Sequence, residues 1–263
     1  MTSTDQPEIL AETDGTIGRI TINRPAKRNA MTLGMWRHLG DLLEEWQSND
    51  SIRVIILAGA GDKSFCAGND IKEYATIRAT AEQRVAYDAV TTRTYSLLKN
   101  FPRPTIARIT GYCVGGGMEL ALLCDLQIAA ASASFAVTPA RLGIGYKLED
   151  VELLLGNISP KHARELLYTA DKFPAETAER WGLISRAVPD DRLDEEIIAL
   201  ATKIAANAPL TVGALKVTIA EAAKAEPDLE RCAELVRLCD ASEDRVEGQT
   251  AFAEKREPMF RGE

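Results

Sequence analysis

The chain has 263 residues, 46% of them apolar and 27% charged, an ordinary globular mix and enough chain for one large domain or a domain with an appendage. Its 31 basic and 39 acidic side chains leave a formal charge of −8, which argues against a broad nucleic-acid or membrane surface but leaves room for a small basic site for one anionic ligand. No run approaches the ~18–20 apolar residues of a membrane span. The opening MTSTDQPEIL has no basic segment followed by a long apolar run, so a cytoplasmic protein is expected. The five cysteines (Cys66, Cys113, Cys124, Cys232, Cys239) are odd in number and form no C-x-x-C pair, so neither a disulfide framework nor a zinc site is expected. Cys232 and Cys239 lie seven apart on one predicted helix face and read as buried packing. His38 in an amphipathic helix and His162 in a first helical turn read as structural; without H-E-x-x-H, no metal site is expected.

In chain order, residues 8–12 and 16–22 flank Asp14-Gly15 and predict a hairpin. Thr32 can cap a helix to about Gln47, with Trp36, Leu39, Leu43 and Trp46 on one stripe. The apolar run Val54-Ile55-Ile56-Leu57 suits a strand covered on both faces. A loop over 59–70 and a helical region to about Asn100 follow. Pro102 and Pro104 bracket the entry to a strand at 105–109. Glycine-rich residues 111–117 open a helix over 118–124, and 126–130 and 134–137 read as further strands. From about 150 the pattern is nearly all helix. Ser159-Pro160 is an N-cap with proline at the first position, and Gly182 is a helix stop. Helices over 193–207, 210–224, 229–239 and 243–254 complete the chain. The expected organisation is an α/β core over 1–190 and a helical region over 191–263. A helical tail with many apolar positions points to docking on a partner copy or on its own core.

Two segments carry the chemistry. Ser64-Phe65-Cys66-Ala67-Gly68-Asn69-Asp70-Ile71 follows one buried strand, and Gly111-Tyr112-Cys113-Val114-Gly115-Gly116-Gly117-Met118-Glu119 follows another and opens a helix. Small residues let backbone N–H groups approach a ligand closely, and a helix start adds unpaired donors. Two such donors converging on a carbonyl oxygen make an oxyanion hole. Glycine-rich strand–helix turns also occur as plain structure, so the pattern alone admits both readings.

F-C-A-G-N-D-I and G-Y-C-V-G-G-G-M-E-L-A-L-L-C-D resemble the two signature regions of the enoyl-CoA hydratase/isomerase (crotonase) family. The likeness continues, in family order, through R-P-A-K-R-N-A near 24, A-R-L-G-I-G-Y at 140–146, A-x-x-W-G-L-I-S-R-A-V-P at 178–189 and E-G-Q-T-A-F-A-E-K-R-E-P at 247–258. It implies a crotonase-like spiral of ββα units with a C-terminal helical trimerisation region, assembled as a homotrimer or a dimer of trimers. The implied ligand is an acyl-CoA thioester, with no cofactor beyond its coenzyme A moiety. Carried over by position, Ala67 and Gly116 donate their amides to the thioester oxygen, and Ala67, Gly68, Asn69, Asp70 and Ile71 line the acyl-CoA channel. Glu119 matches the first of two hydratase glutamates; the other reading is a first-turn acid without chemistry. Lys27, Arg28 and Lys72 are candidates for the coenzyme phosphates. Phe252 and Lys255 match positions where a neighbouring subunit touches the adenosine, although the residues 254–257 by themselves favour a solvated helix face.

The position of the second hydratase glutamate is Pro139, which cannot exchange a proton. Three activities follow: hydration with Glu119 alone, double-bond isomerisation with Glu119 as shuttle, or decarboxylation of a malonyl-type thioester. The third draws on Thr138-Pro139-Ala140-Arg141-Leu142-Gly143-Ile144-Gly145-Tyr146, similar to a loop of methylmalonyl-CoA decarboxylase whose tyrosine faces the substrate. That enzyme, however, has histidine where Asn69 stands, and Glu119 would repel a substrate carboxylate. Tyr146 is thus a catalytic candidate or a pocket wall, and Glu149 or Asp150 could replace the missing acid. A non-catalytic acyl-CoA or partner-binding relative is the reading from another class. Residues 59–64 lack the glycine that a phosphate loop needs before Lys63, no G-x-G-x-x-G follows a strand, and Cys66 has no evident base.

Overall fold

A computed structural model describes residues 7–263; residues 1–6, the start of the segment without a secretory pattern, lie outside that range. The hairpin forms from β1 (Ile9–Asp14) and β2 (Ile17–Ile22), antiparallel, with Asp14 opposite Ile17. Gly15, at φ +57°, supplies the left-handed conformation such a turn needs. The Thr32 hydroxyl accepts from Met35 N–H and starts α1 (Leu33–Trp46), whose Trp36, Leu39, Leu43 and Trp46 are buried.

The chain then repeats one unit: a strand, a second short strand, and helix. The first holds β3 (Val54–Gly59), β4 (Ser64–Cys66), α2 (Ile71–Ile77) and α3 (Ala81–Lys99). The second holds β5 (Thr105–Ile109), β6 (Tyr112–Val114) and α4 (Gly116–Leu122). The third holds β7 (Leu126–Ala130), β8 (Ser134–Ala136), α5 (Pro139–Leu142) and α6 (Leu148–Leu155). After α7 (Pro160–Thr169) come β9 (Phe173–Pro174), α8 (Ala175–Trp181) and β10 (Arg186–Val188). First strands join one sheet, ordered β1-β2-β3-β5-β7-β10, and second strands join another, β4-β6-β8-β9. Pairing from β2 to β10 and from β4 to β8 is parallel. Gly182, at φ +81°, ends α8 as expected.

Four strands depart from the sequence reading: β4 and β6 lie within the glycine loops, and β9 and β10 interrupt the region expected to be nearly all helix. Each has two or three residues, too few for an alternating pattern to register. Their partners in the sheet hold them extended.

The larger sheet is covered on both faces, and its side chains sort by period two. Ile55, Leu57, Ala107 and Ala129 join the core that contains α1 and the smaller sheet. Val54, Ile56, Ile106 and Ile128 face Leu193, Ile197, Ala201 and Ala205 of α9 (Leu193–Ala205). The first helix after residue 190 therefore packs on the sheet. Beyond it, α10 (Pro209–Ala222), α11 (Leu229–Ala241) and α12 (Glu243–Glu254) bury few side chains, and α11 buries none. Cys232 and Cys239 are consequently half-buried, a correction to the buried packing expected, because α10 packs on that helix but no further segment among the described residues completes the cover. No single helix among the described residues is long and apolar enough to cross a membrane.

Candidate active site

The two glycine-containing segments meet. A Cβ added at Gly117 would collide with the Cys66 carbonyl, and one added at Gly68, which has φ +86°, would lie 3.2 Å from Gly116 N. Only glycines permit this approach.

The first segment is stitched to residues 28–31. Ala67 N–H donates to Arg28 O at 3.0 Å, Met31 N–H to Gly68 O at 2.8 Å, and Asp70 N–H to Met31 O at 2.8 Å. Gly68 N–H points at the Cys66 sulfur, 3.4 Å away. Ala67 therefore has no free amide to offer, which corrects its expected role. Between Ala67 and Asp70 the amide left without an acceptor among the described residues is that of Asn69. In the second segment, Gly115 N–H donates to Ala136 O, and Gly115 O receives Met118 and Glu119. Gly116, first in α4, has no acceptor for its amide among the described residues. Asn69 and Gly116, one from each segment, are thus open main-chain donors at this junction. The A-G-N-D spelling could not reveal this, because the turn over 28–31, with Arg28 and Asn29 left-handed, engages the Ala67 and Asp70 amides from far along the chain.

Glu119 stands one turn into α4, half-buried. Its Oε2 accepts from the Tyr95 hydroxyl at 2.8 Å and its Oε1 from the Tyr146 hydroxyl at 2.9 Å. Burial, with the Asp150 charge next, holds the Glu119 carboxyl above its ordinary value, while both phenol hydrogen bonds pull it down. Burial and the neighbouring Glu119 push both tyrosines up, so both remain donors near neutrality. Tyr95, on α3, was not legible as a site residue; an aromatic in an amphipathic run carries no distinguishing signal.

Pro139 begins α5 and leaves its position without an acid. Of the two acids beyond it, Glu149 is exposed, whereas Asp150 is half-buried in the first turn of α6, which packs on α4. Burial raises the Asp150 carboxyl, and Lys147 opposes this. Lys147 also pairs with Asp88 at 3.2 Å, and Asp88 with Arg78. The Cys66 thiol is buried and pushed up to about 12, a poor nucleophile.

The remaining candidates lie around this centre. Asp70 accepts from Lys72 and Glu73 N–H as cap of α2 and pairs with Arg24 at 2.7 Å, which accounts for it structurally. Ile71 is 68% exposed, and Lys72 is exposed beside it. Lys27 and Arg28 are exposed, and the Arg28 guanidinium lies 5.2 Å from the Tyr112 ring centre. Lys172, absent from the sequence candidates, approaches the same ring at 4.6 Å. Phe252 (87% exposed) and Lys255 lie at the end of α12. No hydrogen bond or ion pair among the described residues joins them to the Glu119 site. A cavity of about 580 Å³ also lies there, between Ala208, Asp244, Phe252 and Phe260, with no residue of the Glu119 site in its lining. His38 is exposed, and half-buried His162 stacks on Trp181 at 4.7 Å. No cluster of three or more metal-binding side chains occurs among the described residues.

A spiral of ββα units carrying a half-buried carboxyl beside open amides from two loops defines a crotonase-type acyl-transforming enzyme. Comparison with known proteins agrees with that class: the sequence model of the enoyl-CoA hydratase/isomerase family matches residues 12–263, and the chain belongs to this family. The chain is similar to crotonyl-CoA hydratase of Syntrophomonas wolfei, 33% identical over 259 residues, covering 96% of this chain and 97% of the relative. It is 37% identical over 259 residues to carnitinyl-CoA dehydratase of Proteus mirabilis, covering 95% and 97%. Among solved structures, an enoyl-CoA hydratase/carnithine racemase from Magnetospirillum magneticum superposes with a TM-score of 0.94 at 37% identity, covering 98% of this chain and 97% of that one. The crotonase fold and membership among these enzymes are therefore as the resemblance implied.

Proposed function

We propose that this protein is an enoyl-CoA hydratase that adds water to a 2-enoyl-CoA thioester, with Glu119 as base and the amides of Asn69 and Gly116 as the oxyanion hole. The observation that carries the reading is a half-buried carboxyl, fixed by two phenols, beside unspent main-chain donors from Asn69 and Gly116. As the water oxygen bonds to C3, Glu119 takes its proton and the C2=C3 electron pair runs to the thioester oxygen. The resulting enolate lies against the two amides, which strengthen their hold as its charge grows. The proton on Glu119 is then returned to C2, which restores the carbonyl and the base. Tyr95 and Tyr146 hold the carboxylate oxygens through the cycle.

The same reading has the enzyme acting in the cytoplasm, without a cofactor beyond the coenzyme A moiety, as a homotrimer or a dimer of trimers. Arg28, Lys27, Lys72 and Lys172 supply local positive charge for the coenzyme, and Phe252 and Lys255 of an adjacent subunit complete its adenosine end. A malonyl-type decarboxylase fits less well, because Glu119 and Asp150 would together repel the substrate carboxylate.

Glu119→Gln should lower crotonyl-CoA hydration about a thousand-fold while melting temperature and butanoyl-CoA binding stay as in the wild type. Hydration at the wild-type rate in that variant excludes Glu119 as base. An assay panel separates the alternatives. Faster decarboxylation of methylmalonyl-CoA, or faster double-bond migration, reassigns the reaction. Tight binding with no turnover of any substrate makes the protein a non-catalytic relative.

A further inference from the structure

Asn69 has a side chain whose orientation its neighbours settle. Its Oδ1 accepts from the Trp36 indole at 2.9 Å and from the Tyr87 hydroxyl at 2.6 Å. An indole nitrogen can only donate, so the carboxamide oxygen must face it and Nδ2 must face away. Nδ2 meets no acceptor among the described residues, yet it is not sealed off from solvent. A Cβ added at Gly116 would lie 3.8 Å from this nitrogen and 3.5 Å from the Tyr95 hydroxyl, which itself donates to Glu119. Nδ2 therefore opens onto the same space as the Gly116 amide and the Glu119 carboxyl. A ligand that displaces water from this space and offers no acceptor leaves an NH2 group unpaired, which disfavours its binding. Two aromatic donors prevent the amide from turning to find another partner.

We infer that Asn69 Nδ2 is a specificity-determining donor, which recognises an acceptor oxygen on a short acyl chain within two atoms of the thioester carbonyl. The inference rests on the proposed function only for placing that carbonyl against the Asn69 main-chain amide. Amide nitrogen and Nδ2 belong to one residue, so a carbonyl oxygen held by the first leaves the next atoms of the acyl chain opposite the second. The acids Glu119 and Asp150 beside this space favour a neutral ether, hydroxyl or keto oxygen over a carboxylate.

The test compares butanoyl-CoA with methoxyacetyl-CoA, whose acyl groups differ only by an ether oxygen in place of one methylene. Neither has a double bond, so both bind without hydration, and calorimetry gives both dissociation constants. Wild-type protein should favour methoxyacetyl-CoA about ten-fold, the worth of one hydrogen bond. Asn69→Asp keeps an acceptor for Trp36 and Tyr87 but removes both N–H donors, and the preference should vanish. Asn69→Ala should lose it too, with a melting curve confirming the fold. Equal binding of the two ligands by the wild type, or an unchanged preference in both variants, overturns the inference and leaves the acyl-CoA reading standing. If the wild type binds neither thioester, the acyl-CoA reading itself fails and the inference falls with it.

Discussion

The sheets with their covering helices and the last three helices solve the burial problem differently. In the first region the chain builds a closed core, with Trp36, Leu39, Ile55, Phe65 and Phe135 fully buried, although Ile71, Val85 and Leu148 on its outer helices stay exposed. In the second, Leu215, Ile219, Val236, Leu238, Val246 and Phe252 are more than half exposed. Exposed apolar side chains in such number mark an interaction surface. The contrast places the Glu119 carboxyl and the Asn69 and Gly116 amides beside the self-covered core and leaves the C-terminal helices with apolar side chains that the chain itself does not cover. Under the proposed function a second and third copy cover them.

The largest effect on this contrast should come from charge placed on the exposed helices. Ile219→Glu combined with Leu238→Glu should reduce the mass seen by sedimentation from trimer or larger to monomer, with the helical circular-dichroism signal retained. A wild-type protein that already sediments as a monomer breaks the comparison. Within the self-sufficient region, Tyr146→Phe removes one of the two donors on Glu119. Hydration should fall about ten-fold. Because that hydrogen bond lowers the Glu119 pKa, the acidic limb of the rate profile should also move to higher pH. An unchanged rate and limb would make Tyr146 a wall.

Asp150→Asn should give the smallest change and the opposite sign. Burial is the main cause of the raised Glu119 pKa, and the Asp150 charge is the next. Without that charge Glu119 ionises at lower pH, so the active base form persists further into acid and the limb moves down. The groups acting on Glu119 are Tyr95, Tyr146, Asp150 and Lys147, with Glu149 and Asp88 acting in turn on Asp150. A limb that stays in place would show that Asp150 does not act on Glu119.

Much of this molecule is legible residue by residue. The Asp14-Gly15 turn, the Thr32 and Ser159 caps, the α1 stripe and the buried β3 run each follow from local rules, because hydrogen-bonding chemistry and side-chain period are written in adjacent residues. The two glycine segments were legible as well, since glycine declares itself locally, whereas Glu119 stood out only through the family resemblance, a first-turn acid by itself reading as plain structure. Tertiary structure alone decided the rest. It spent the Ala67 amide on Arg28 and left that of Asn69 open, set Tyr95 against Glu119, and turned Asp150 rather than Glu149 inward. It also drew β4, β6, β9 and β10 into sheets that their two or three residues could not announce. Each of these outcomes depends on partners tens of residues away, and a donor's availability is a property of what the fold brings beside it.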